Sequence, residues 1–257
     1  LSPPVGGAQP AVRRDLVSES MRAAAARAQQ QLEREWHAST SRDDGWFDAT
    51  VPCGAGTPPW PGDTPFSCGW TLRLATGGSV NLSTITTSPH VGTHADAPLH
   101  VRDGARDSDG IPVQPFNGLV HVVDVRDVVG AVSREQLSAR LPVAGPTRLF
   151  LRTGQSVAEG RFPFAWSWLD AVLAADLAQR GLTLLGTDAP SVDAKDSKTL
   201  DTHHALFDHG ANVLENLDLR DVTPGAYELR ALPMRLQGAD AAPVRALLRA
   251  IPLGRSG

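Results

Sequence analysis

The chain has 257 residues, 41% of them hydrophobic and 20% charged, with a formal net charge of -4. That length and composition suit a globular protein of one large domain or two small ones. The charge gives no global case for nucleic acid or anionic membrane partners, and no apolar run reaches the roughly 18 residues of a membrane span. Cys53 and Cys68 are too few for a disulfide framework or a cysteine-based zinc site, and read as reduced thiols in the cytoplasm.

Residues 1–44 read as an N-terminal extension. Positions 1–10 are rich in Pro, Gly and Ala and are expected to be disordered. Positions 21–36 favour helix, but their apolar content is mostly alanine, so they bury little. Met21 offers an alternative start. A targeting peptide is the weaker reading, because a long apolar segment is missing and glutamates are present. The globular domain is expected to run from residue 45 to 257. It begins with a proline-rich loop over 52–65 that has Trp60 at its centre. Trp60 is either a packing aromatic or a lid over a site. Alternating runs at 70–74 and 80–87 predict two strands turning at Gly77-Gly78. Further strands are expected at 119–125, 147–153, 182–187 and 227–236. A short helix at 134–141 is capped by Ser133, and a longer one is expected at 165–180. The stretch 242–251 is expected to pack against the sheet.

The strongest chemical signal is Pro89-His90-Val91-Gly92-Thr93-His94-Ala95-Asp96-Ala97-Pro98-Leu99-His100. His90, His94, Asp96 and His100 stand at even offsets, so extended backbone would point them to one side. A straight strand cannot gather them on one ion. Six residues span on the order of 20 Å, whereas metal ligands lie about 2 Å from the ion. The chain must therefore fold back near Gly92-Thr93. A mixed His/Asp cluster suits zinc or another divalent ion of borderline hardness. His100, beyond Pro98, stands apart: an imidazole suited to proton transfer, a further ligand, or a group supporting one. His37, His121 and His209 read as structural or surface histidines.

A second chemical region spans 186–215. Gly186-Thr187-Asp188-Ala189-Pro190-Ser191-Val192-Asp193 closes a strand in a polar loop. His203-His204 and Glu215 follow. On one helix His203 and Glu215 would lie about 18 Å apart, but Gly210 offers a break that turns the chain back. Two carboxylates, Asp96 and Glu215, invite a two-metal site. A closed structural zinc site is the weaker reading for want of cysteines.

Residues His90-Val91-Gly92-Thr93-His94-Ala95-Asp96-Ala97-Pro98-Leu99-His100 resemble the HxGTHxDxPxH signature of the metal-dependent cyclase-type hydrolases. Three further stretches are similar to its bacterial kynurenine formamidase (arylformamidase) branch. They are Pro59-Trp60-Pro61-Gly62-Asp63-Thr64-Pro65-Phe66, Ser83-Thr84-Ile85-Thr86, and Asp188 to Asp193 with Ser197-Lys198-Thr199-Leu200-Asp201. The likeness runs from about residue 46 to 249, and residues 1–44 have no counterpart in it. It implies an α/β fold, a single compact swivelling β/β/α domain with a mixed, barrel-like sheet, assembled as a homodimer. It implies two divalent ions, zinc first, on His90, His94, Asp96, His203 and Glu215. Asp96 would bridge them and Glu215 would contact both. His203 rather than His204 would be the ligand, His100 the general acid/base, and Trp60 a substrate contact. The implied reaction is hydrolysis of N-formyl-L-kynurenine to L-kynurenine and formate in tryptophan degradation. The alternatives are a related amide or lactam hydrolase of the isatin hydrolase kind, or a metal-binding protein without activity.

Overall fold

The computed structural model describes residues 45–141 and 145–251, so the expected extension at 1–44 lies outside it. In chain order the strands are β1 (Trp46–Asp48), β2 (Ser67–Leu72), β3 (Leu82–Thr86), β4 (His94–Asp96), β5 (Asn117–Asp124), β6 (Ala131–Val132), β7 (Arg148–Arg152), β8 (Trp168–Leu169), β9 (Leu184–Thr187), β10 (Asn212–Glu215), β11 (Gly225–Arg230), β12 (Ala241–Pro243) and β13 (Leu247–Ala250). The helices are α1 (Arg134–Ser138), α2 (Ala171–Gln179) and α3 (Asp201–Asp208).

Nine strands form one mixed, curled sheet in the order β1-β13-β11-β5-β7-β9-β10-β4-β12. Its centre, β5-β7-β9-β10, is parallel, while β4 and β12 on one side and β11, β13 and β1 on the other run antiparallel. Parallel strands are buried on both faces, and their sequences read as continuous apolar runs. Alternate residues here divide between two cores. Leu149, Leu151, Leu185 and Val213 join the cluster that includes Leu173 of α2 and Leu206 of α3. Phe150, Leu184 and Leu214 face the other way and meet Val122, Tyr227, Leu229 and Leu248. Those last three come from the antiparallel flank, so the sheet curls to cover its own second face.

Local chemistry sets the helix ends. Ser133 accepts the Gln136 N–H while the Gln136 side chain accepts the Ser133 N–H, a complete capping box. The helix expected over 165–180 begins later, at Ala171. Trp168 and Leu169 pair with β6 as a strand, and the Asp170 carboxylate caps Val172 and Leu173. Strand pairing thus took the aromatic stretch that helical spacing had claimed. The strand expected over 227–236 ends at Arg230. The β2–β3 hairpin forms as expected, but every residue of both strands is exposed, so its alternation marks no buried face. No described helix is long and apolar enough to cross a membrane.

Candidate metal centre and active site

The fold-back expected near Gly92-Thr93 is present. Gly92 has φ +78, and a Cβ there would lie 2.7 Å from the Val51 carbonyl oxygen and 2.9 Å from the Cys53 nitrogen. Only glycine meets both demands. Thr93 holds the crossing, since its Oγ1 donates to the Asn216 carbonyl and accepts the Val51 N–H. β4 then runs between β10 and β12, with His94 opposite Glu215. Alternation sends His94 and Asp96 to the α3 side of the sheet, while the fully buried Ala95 faces the opposite core. His100 does not share the strand. It sits on a 3₁₀ turn opened by Pro98, apart from the run that carries His94 and Asp96.

His203 reaches the same place from α3. The Asp193 carboxylate, in the loop after β9, accepts the backbone N–H groups of Thr202 and His203. It also lies 2.6 Å from His203 Nδ1. One buried carboxylate thus caps the helix and fixes the ring, leaving Nε2 to face the cluster. His204 points elsewhere, its Nδ1 3.5 Å from Arg102. After α3, Gly210 turns the chain at φ +77, and β10 delivers Glu215. Its Oε1 accepts the Val192 N–H at 2.7 Å.

Two donor sets converge here. His90, His94 and Asp96 form one, and Asp96, His203 and Glu215 form the other; within each set the ligand atoms lie within 4.8 Å of one another. Asp96 belongs to both. Its Oδ1 is 3.1 Å from His90 Nδ1 and 3.4 Å from His94 Nε2, and its Oδ2 is 3.2 Å from His203 Nε2. Glu215 spans the pair as well, 3.3 Å from His203 Nε2 through Oε1 and 3.5 Å from His94 Nε2 through Oε2. His94, Asp96, His203 and Glu215 are all buried.

The site fits cations. Among the described residues, His94 Nε2 and Asp96 Oδ1 are buried with no hydrogen-bond partner, which is costly unless another ligand meets them. Two buried carboxylates side by side also demand positive charge. Protons supply it in the histidines. Burial opposes charge on His90, but the Asp240 and Asp96 carboxylates outweigh it and push the pKa up to about 9. Burial likewise opposes charge on His94, yet Asp96 and Glu215 push it up to about 10. Burial would raise Asp96, but His94, His203 and His90 hold it well below the usual carboxylate range.

Asp240 is the residue that sequence reading missed. Its Oδ2 lies 3.0 Å from both His90 Nε2 and His100 Nδ1. Both rings donate to it, so His90 keeps Nδ1 for the cluster and His100 keeps Nε2 free. His90, His100 and Asp240 also form a compact donor set, but its donors are satisfied by hydrogen bonds, unlike the orphaned atoms beside Asp96. No local motif marks Asp240; β12, which follows it directly, brings it to β4.

A cavity of about 380 Å³ opens over the cluster, lined by His90, His94, His100, His203 and Glu215 below and by Trp60 and Phe162 above. Trp60 is 39% exposed and meets Phe162 edge-on at 5.3 Å, so it stands in the cavity wall and not in the core.

Fold, buried carboxylate–histidine cluster and open cavity together define a hydrolase of the metal-dependent class. Residues 47–194 match the family model described as putative cyclase. A kynurenine formamidase of Bordetella pertussis is 43% identical over 209 residues, covering 79% of this chain and 97% of that protein. One of Bacillus cereus is 40% identical over 206 residues, covering 80% and 98%. A predicted metal-dependent hydrolase from Bacillus stearothermophilus superposes with a TM-score of 0.67 at 29% identity, over 79% of this chain and 97% of that one. An isatin hydrolase shares the fold at 18% identity, with a TM-score of 0.68 over 87% and 98%. The chain belongs to the cyclase family, in the branch that holds the bacterial kynurenine formamidases.

Proposed function

We propose that the protein hydrolyses N-formyl-L-kynurenine to L-kynurenine and formate, using two divalent ions, zinc first. The observation that carries this is the meeting of two donor sets on Asp96 beside an imidazole with one free nitrogen. His90, His94 and Asp96 would hold one ion and Asp96, His203 and Glu215 the other. Bound there, such ions supply Lewis acidity, which makes water easier to deprotonate and stabilises a developing oxyanion.

The chain's own groups do the rest. Asp240 accepts His100 Nδ1–H, so Nε2 faces the cavity as the proton acceptor. It takes a proton from the attacking water as the tetrahedral centre forms. It then returns that proton to the aniline nitrogen as the C–N bond breaks, releasing formate. Trp60 and Phe162 offer apolar faces for the aryl ring. Relatives named kynurenine formamidase at 43% and 40% identity support this substrate over others of the fold. The homodimer belongs to the same proposal. Exposed Trp70, Leu72, Val80, Leu82 and Ile85 on and beside the β2–β3 hairpin supply apolar surface of the kind a second copy covers.

The test is formate release from N-formyl-L-kynurenine by metal-loaded protein. Turnover of isatin in its place would keep the hydrolase class and overturn the substrate. Metal uptake without hydrolysis of any amide would leave a binding protein.

A further inference from the structure

The cavity's outer wall carries charge that the chemistry above does not use. Of the chain's 24 basic residues only two are lysine, Lys195 and Lys198, and both line this cavity. Asp63 lines it too. Several surface charges of the domain are paired, Arg102 with Asp208, Arg126 with Asp124, Arg134 with Asp176, Arg140 with Asp127 and Arg220 with Asp218, while others such as Arg73, Arg106 and Asp196 are not paired among the described residues. Lys195, Lys198 and Asp63 have no opposite charge within 4.0 Å among the described residues. Each is a charge without an ion-pair partner in a lining that also holds Pro58, Trp60, Phe162 and Leu200.

Their placement follows the aromatic faces. Lys195 Nζ lies 5.9 Å from the Phe162 ring centre and 4.8 Å from that of Phe164. Phe162 in turn meets Trp60 at 5.3 Å. An aryl ring seated against Trp60 and Phe162 has Lys195 within the reach of a short tail. At about 1.5 Å per bond, a tail of three or four bonds extends roughly 5 Å. Lysine suits this task, since its compact ammonium on a flexible stem meets a carboxylate without the fixed fork of arginine.

We propose that Lys195 and Lys198 form an anion subsite that receives the α-carboxylate of the substrate, with Asp63 pairing with its α-ammonium. The substrate class is then an aryl formamide bearing an α-amino acid tail. This rests on the formamidase reading. The unmatched wall selects the tail while the cluster below acts on the amide, so an aryl formamide without a tail reaches the same chemistry with less binding energy.

The experiment compares wild type with Lys195→Met/Lys198→Met and with Lys195→Arg/Lys198→Arg, all metal-loaded. L-kynurenine binding is measured by calorimetry, and kcat/KM is measured for N-formyl-L-kynurenine and for formanilide. The methionine variant is expected to bind L-kynurenine about 10- to 100-fold more weakly. Its loss of kcat/KM on the amino acid substrate should exceed its loss on formanilide by a similar factor. The arginine variant should keep most of both. Unchanged L-kynurenine binding, or equal losses on the two substrates, overturns the subsite. Wild-type turnover of formanilide tests the amide-hydrolase reading separately, because binding reports on the subsite whether or not the amide is cleaved.

Discussion

The cavity's floor and its outer wall obey opposite rules. On the floor His94, Asp96, His203 and Glu215 are buried, and the charged groups there face opposite charges. Asp96 serves three histidines, Asp193 fixes His203, and Asp240 fixes both His90 and His100. On the wall, Trp60 is part exposed and the two lysines have no opposite charge within 4.0 Å among the described residues. A floor of this kind is preorganised and indifferent to which amide enters; a wall of this kind leaves its charges to be met by the ligand. The difference teaches where to look for reaction type and where to look for substrate choice.

The sharpest way to break this division is to remove the shared ligand. Asp96→Ala should lose bound metal and activity together, down to background, with both metal content and formate release as readouts. Full activity would end the two-ion account. His100→Ala should retain metal and lose about 100- to 10,000-fold in kcat, the usual span for a general acid/base. Loss of metal would instead make His100 a ligand. Asp240→Asn should lower kcat about 10- to 100-fold with KM little changed, because Asp240 orients groups and does not touch the substrate. A rise in KM alone would place Asp240 on the wall.

The smallest effect concerns pH. In metal-free protein His90 and His94 hold protons, with pKa values raised to about 9 and about 10 by neighbouring carboxylates that outweigh burial. The unfolded chain releases those protons near the ordinary histidine value of about 6.5. Their contribution to stability is therefore full below about pH 6.5 and is lost as pH rises through 9 to 10. Metal binding needs the same nitrogens unprotonated, so it should strengthen over that range. Thermal melts with and without chelator should show the metal-free Tm falling with rising pH and the gap to the loaded protein widening. A metal-free Tm independent of pH across that window would show that the histidines carry no such protons.

How much of this was legible depended on sequence distance. His90, His94 and Asp96 could be read because one crossing at Gly92 gathers them. The pairing of His203 with Glu215 could be read because Gly210 interrupts a helix that would have held them apart. Asp240 could not be read. It lies 140 residues from His100, and only the pairing of β12 with β4 brings it in. The start of α2 was misplaced because Trp168 and Leu169 fit helical spacing but are taken by β6. In the sequence Lys198 reads only as part of a stretch resembling the formamidase branch, and Lys195 is given no role. Their meaning depends on the cavity they line and on their having no opposite charge within 4.0 Å among the described residues, and neither is a local property.

In the proposed centre Asp96 serves two ions. Stepwise addition of zinc to chelator-treated protein, with bound metal and formate release followed together, tests that most directly. Two equivalents per chain are expected, with activity rising to its maximum only as the second binds. Saturation at one equivalent with full activity would contradict it.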